Sequence, residues 1–119
     1  MNIQEEKQEK NYQIKFFIEE NNVVIAWAFL VVIFNGRHKE CYGLMEDVYV
    51  LPAYRGHGYG SALIQKLITK ARDIGCYKLI AQSRYDKEHV HALYKKYGFR
   101  DHGKNFRMDL KQTELLADD

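Results

Sequence analysis

The front third of the chain is apolar in two ways, first alternating and then unbroken. Tyr12 to Ile18 alternates roughly and is rich in β-formers, which predicts a strand. Glu19 to Asn22 (EENN) reads as a turn, with asparagine supplying the uncommon backbone angles. Val23 to Phe34 is an apolar run of twelve residues. A membrane helix needs about 20, so the run predicts a long strand buried on both faces. The two strands should form an antiparallel hairpin. Asn35-Gly36, within NGRHKE, marks the next turn, and Cys41 to Val50 reads as a third strand.

The period then changes. Leu63, Ile64, Leu67, Ile68, Ala71 and Ile74 recur at helical spacing and predict a helix from Tyr59 to Ile74. Lys66, Lys70 and Arg72 take its outer face and C-terminal end, and Gly75 stops it. Tyr77 to Gln82 reads as a short strand reached by a strand–helix–strand crossover, hence parallel to the third strand. Val90, Leu93, Tyr94 and Tyr97 form the stripe of a second helix from Lys87 to Tyr97, with Asp86 as cap and Gly98 as stop. Phe99 to Asp101 and Asn105 to Leu110 read as a terminal strand or hairpin. Residues 1–11 are a polar arm and residues 111–119 a tail or short helix. The order is β-β-β-α-β-α-β, an α/β (α+β) chain with a mixed sheet in one domain spanning residues 1–119.

Composition narrows the class. Charged residues make up 29% and the net charge is +2, a globular balance too weakly basic to suggest nucleic acid or a membrane surface. Cys41 and Cys76 belong to no CxxC pair and read as free thiols of a reducing cytoplasm. His89 and His91 stand two residues apart and do not share a helix face, while His38, His57 and His102 fall in turns or loops. No metal is expected.

The chemistry concentrates between the third strand and the first helix, in VLPAYRGHGYGS (Val50 to Ser61). Gly56, Gly58 and Gly60 let the backbone come close to a ligand, and the helix that follows opens with unpaired N–H groups and a positive dipole end. This combination suits a phosphate-bearing ligand. A P-loop needs Lys-Ser or Lys-Thr after its last glycine, and none is present. A dinucleotide loop needs GxGxxG, whereas these glycines read GxGxG.

Arg55, Gly58 and Gly60 fit every fixed position of [RQ]-x-x-G-x-[GA], the acetyl-CoA loop of the GNAT (Gcn5-related) N-acetyltransferases. Val50-x-Pro52 is similar to that family's lead-in, and Ala92 to Phe99 (ALYKKYGF) resembles its later LY-x-x-x-GF segment. The resemblance covers roughly Gly43 to Leu110. MEDVYV and GCYKLI look most like the glucosamine-6-phosphate N-acetyltransferases. Two departures stand out. Lys87 lies where the family usually has Asn. The family also carries two helices between its first two strands, helices that wall the acceptor site, whereas here only Glu19 to Asn22 separate them. The acceptor site is therefore expected to be open or completed by a second subunit.

The resemblance implies acetyl transfer from acetyl-CoA to an amine by direct attack in a ternary complex. The acceptor would be a small-molecule or protein amine. The cofactor's pyrophosphate would rest on Arg55, Gly56, His57, Gly58, Tyr59, Gly60 and Ser61. Its pantetheine arm would lie along Val48, Tyr49 and Val50, where a backbone N–H polarises the thioester carbonyl. Tyr94 matches the family tyrosine that contacts the cofactor and protonates the leaving thiolate. Its place in the apolar stripe also suits a core tyrosine. Adjacent strand residues face opposite ways, so one of Glu46 and Asp47 should face the core or a cleft. Glu46 is the first candidate base for the amine, and equally a group that binds a cationic acceptor; Asp47 is the second. A non-catalytic CoA-binding module, acting as sensor or assembly partner, is the alternative. Small size, the long apolar strand and the missing wall suggest a homodimer.

Overall fold

Asn21 and Asn22 both take positive φ, 51° and 64°, in the computed structural model, which describes residues 1–83 and 88–116. This two-residue turn has the twist that antiparallel strands require. It joins β1 (Tyr12–Glu20) to β2 (Val23–Ile33), with Glu20 opposite Val23. The first strand thus continues through the expected start of the turn. β3 (Tyr42–Val50) pairs antiparallel with β2, and β4 (Leu79–Ala81) pairs parallel with β3. The order β1-β2-β3-β4 is the predicted mixed sheet, antiparallel first and parallel last.

β2 is buried on one face only. Ala26, Ala28, Leu30 and Val32 are fully covered, while Trp27, Phe29, Val31 and Ile33 are half-buried. Unbroken hydrophobicity suggested two covered faces; the alternation in burial shows one packed face and one partly open. A bulge explains why Ile25 and Ala26, though adjacent, are both fully buried. Ile18 pairs with Ala26 and Glu19 with Val24, so Ile25 is the extra residue and the alternation slips there.

Helix α1 (Tyr59–Ile74) has the predicted bounds. It lays Leu63, Ile64, Leu67 and Ala71 on the packed face of the sheet, against β2 and β3. Gly75, with φ 97°, ends it: its N–H donates to Arg72 O at 3.0 Å and the Cys76 N–H to Ala71 O at 3.0 Å. Leu67 is fully buried at the centre of this contact. Leu67→Ala should lower unfolding free energy by about 2–5 kcal/mol through lost burial and a cavity, read as a fall in urea midpoint at unchanged slope.

Backbone contacts divide the chain into two compact units, Met1–Ala81 and Gln82–Asp119. The second contains α2 (Glu88–Lys96), which ends at Gly98 with φ 99°. The proposed start at Lys87 and cap Asp86 lie outside the described residues. Beyond α2, residues 97–116 form neither strand nor helix. The terminal strand expected over Phe99 to Asp101 and Asn105 to Leu110 is therefore not formed. Alternation alone does not make a strand: it needs an edge to pair with. Phe106, Met108 and Leu110 instead stand 81–88% exposed.

Candidate functional site

The site is built where β3 stops being a regular strand. Phe29 pairs with Glu46 and Trp27 with Tyr49, so Asp47 and Val48 face the single residue Ala28. Asp47 carries the strain of this second bulge, with φ 49°. The alternation breaks, and Glu46 and Asp47 are both exposed. Of the expectation that one of them faces the core or a cleft, the core is thus corrected, because the rule of opposite faces fails at a bulge. Asp47 accepts a hydrogen bond from Trp27 Nε1 at 2.9 Å. Trp27 also packs on Tyr49, with ring centroids 5.1 Å apart.

Trp27 is the single tryptophan, so its fluorescence reports on this contact. Asp47→Ala removes the acceptor and should red-shift and broaden the emission, with a stability loss of about 1 kcal/mol. Asp47→Asn keeps an acceptor oxygen and should restore most of the signal.

β4 pairs with β3 only from Gly43 to Met45. From Glu46 to Val50, no strand among the described residues pairs with β3 on the side away from β2. The chain then makes a short turn. Leu51 N–H donates to Ile25 O at 2.8 Å, and a 3-10 helix spans Pro52–Tyr54. Arg55 folds back: its Nε donates to Val50 O at 2.8 Å, and its guanidinium carbon lies 5.2 Å from the Tyr49 ring centre. The arginine therefore ties the loop to the end of β3.

Gly56 and Gly58 both have φ 84°, a left-handed conformation that disfavours other residues. Gly58 is the residue that precedes α1, and no side chain caps the helix there. No acidic residue lies in the first turn either. The first-turn N–H groups thus lack the usual carboxylate or hydroxyl cap, and space around Gly56 and Gly58 is open to 4 Å. Gly60 faces Val50, where an added Cβ would sit 3.6 Å from Cγ2. These features fit a phosphate group: a positive helix end, open glycines and a cation nearby. His57 is exposed and Ser61 half-buried in the same turn.

Tyr59 opens α1 and donates its O–H to Glu20 Oε1 at 2.5 Å, joining the helix start to the end of β1. That bond holds the Tyr59 phenol above its usual pKa, with burial adding to it. Neither this pair nor Trp27–Asp47 was legible beforehand, because each joins residues far apart in sequence with no shared period.

Tyr94 lies in the second unit. It is half-buried in α2, with its ring 5.4 Å from that of Phe99. Burial pushes its phenol pKa up, so it holds its proton. The structure thus brings Glu46, Asp47, Val48, Tyr49, Val50 and Arg55 to Ser61 into one continuous stretch of the first unit. Among the described residues, no three His, Cys, Asp or Glu side chains gather as a metal site, and no helix is long and apolar enough to cross a membrane.

Residues 2–99 match the acetyltransferase (GNAT) family, and the chain belongs to it. It is 47% identical over 68 residues to a glucosamine 6-phosphate N-acetyltransferase of Trypanosoma brucei brucei, a match covering 57% of this chain and 44% of that enzyme. The chain thus spans less than half of that relative's length. A putative acetyltransferase from Agrobacterium tumefaciens superposes with a TM-score of 0.74 at 31% identity, covering 82% of this chain and 68% of that one. A predicted acetyltransferase from Clostridium acetobutylicum, solved with acetyl-CoA, superposes with a TM-score of 0.67 at 25% identity, covering 82% and 64%.

Proposed function

We propose that this chain is an acetyl-CoA-dependent N-acetyltransferase acting on a primary amine, with its two units serving as one domain. One observation carries the reading above the others. An uncapped helix start with two left-handed glycines follows, after a short turn, a strand that loses its β4 partner after Met45. A pyrophosphate suits the former, and an extended amide-bearing arm suits the latter. Acetyl-CoA offers both and supplies the acetyl group as a thioester.

The protein groups then divide the work. Backbone N–H groups from Gly56 to Ser61 hold the phosphates, and the guanidinium of Arg55 adds charge. Backbone groups of Val48 and Tyr49 hold the arm and polarise the thioester carbonyl. Glu46 takes the proton from the amine nitrogen, directly or through water, because only the neutral amine attacks. Asp47 is already bonded to Trp27, which leaves Glu46 the better candidate. The Tyr94 phenol gives its proton to the departing sulfur. The acceptor is an amine of a small molecule or a protein, and its recognition makes use of the exposed carboxylates Glu46 and Asp47.

The test is calorimetric titration with acetyl-CoA, followed by an amine panel read by release of free CoA thiol. Saturable binding and turnover with at least one amine are expected. Binding without turnover on any amine would instead favour a CoA-binding module. We place the protein in the cytoplasm and expect a homodimer, supported by the half-open apolar face of β2. Light scattering at high concentration should give twice the chain mass; a monomer throughout would reject the dimer.

A further inference from the structure

Cys41 and Cys76 are the only cysteines of the chain, 35 positions apart, yet their sulfurs lie 3.8 Å from each other. Neighbouring backbone bonds bring them together. Tyr77 N–H donates to Cys41 O at 3.0 Å, and Gly43 N–H donates to Lys78 O at 2.9 Å. Cys76 N–H is fixed on Ala71 O at 3.0 Å, as part of the stop of α1. Gly43 makes room for the Leu30 and Leu79 side chains, since a Cβ there would sit 2.9 and 3.0 Å from their Cδ1 atoms, while the Cys76 sulfur would be at an ordinary contact distance of 3.6 Å. A disulfide has an S–S length of about 2.05 Å. Closing the remaining gap takes side-chain rotation, with the neighbouring backbone held by these bonds.

We propose that Cys41 and Cys76 form a modification site, a dithiol that a low-molecular-weight disulfide converts into an internal disulfide. The bond staples the start of β3 to the end of α1. It does not depend on the acetyltransferase reading.

The two thiols have different roles. Cys76 is the more exposed, and Cys41 is 4% exposed. Cys76 loses its proton to solvent, and its thiolate attacks one reagent sulfur and expels the other as a thiolate. Cys41, deprotonated in turn, attacks the Cys76 sulfur of the mixed disulfide and expels the second reagent thiolate. Two protein thiols are oxidised to one disulfide, one reagent disulfide is reduced to two thiols, and the two protons pass to the thiolates released. Burial, followed by the hydrogen bond with Cys41, pushes the Cys76 thiol up to about 11. Little thiolate exists at neutral pH, so the first step is slow and brief exposure leaves the pair reduced.

The closed loop contains β3, the glycine turn and α1. Cross-linking its ends restricts the unfolded chain, which stabilises the folded one. The experiment treats the reduced protein with excess oxidised glutathione, blocks residual thiols by alkylation and measures intact mass. The expected product has lost two hydrogens, carries no glutathione and takes up no alkyl group. Its thermal midpoint should be several degrees higher, and dithiothreitol should reverse the shift. Cys41→Ser should trap glutathione on Cys76 and show no rise. Persistent glutathione on the wild-type chain would overturn the proposal. So would disulfide-linked dimers on a non-reducing gel, or both thiols alkylating as before treatment. The wild-type mass decides the matter even where a serine variant folds poorly.

Discussion

Gly58→Glu should weaken acetyl-CoA binding by on the order of 100-fold or more while leaving the fold intact. Gly58 has φ 84° and precedes α1 without any side-chain cap. An L-residue in that conformation costs roughly 1–2 kcal/mol. There is open space around the position, so no clash adds to this cost. A carboxylate at a helix start is itself favourable by roughly 0.3–1 kcal/mol. The stability loss should therefore be small, and the helical circular dichroism signal should survive. Binding is a different matter. On the proposed cofactor reading, the introduced charge takes the place of the pyrophosphate and repels its like charge. Gly58→Ala separates the two effects, since it keeps the backbone strain and adds no charge. The expected ranking in titration calorimetry is wild type, then Gly58→Ala, then Gly58→Glu far behind. Equal affinity in all three would remove the glycine turn from the cofactor site.

The first unit was legible because its signals are local. The Asn21-Asn22 turn, the period of α1 and the stop at Gly75 each depend on residues within a few positions. What failed depends on partners. The bulge at Asp47 needs the register of β2, and no pattern in MEDVYV shows that its two carboxylates end on exposed positions. Arg55 was expected at a ligand, and no motif tells that it also reaches back to Val50 O. The segment with Phe106, Met108 and Leu110 has strand spacing but is paired with no strand among the described residues. The cysteine pair was invisible because its members stand 35 positions apart, with β3 and the whole of α1 between them.

Tyr94→Phe should lower kcat by about 100- to 10,000-fold, the range of general acid catalysis, with acetyl-CoA affinity changed little. The substitution removes one oxygen and keeps the ring that packs on Phe99. α2 ends on backbone bonds, among them Phe99 N–H to Tyr94 O at 3.0 Å, which the substitution leaves in place. The loss should thus appear in turnover and not in folding. Burial raises the Tyr94 pKa above the ordinary tyrosine value of about 10. The proton needed by the leaving thiolate is therefore held throughout the neutral and mildly basic range. Rate should rise with pH as the amine loses its proton, and no fall due to Tyr94 should appear below about pH 10. The same shift has a sign for stability. The folded chain binds this proton more tightly than the unfolded chain, so the contribution is full below the unfolded pKa and is lost as pH rises through the folded one. In Tyr94→Phe that alkaline loss should be smaller, seen as a flatter fall of thermal midpoint above pH 10. A phenylalanine variant with wild-type kcat would leave Tyr94 only its packing role, and the leaving thiolate would have to take its proton from water.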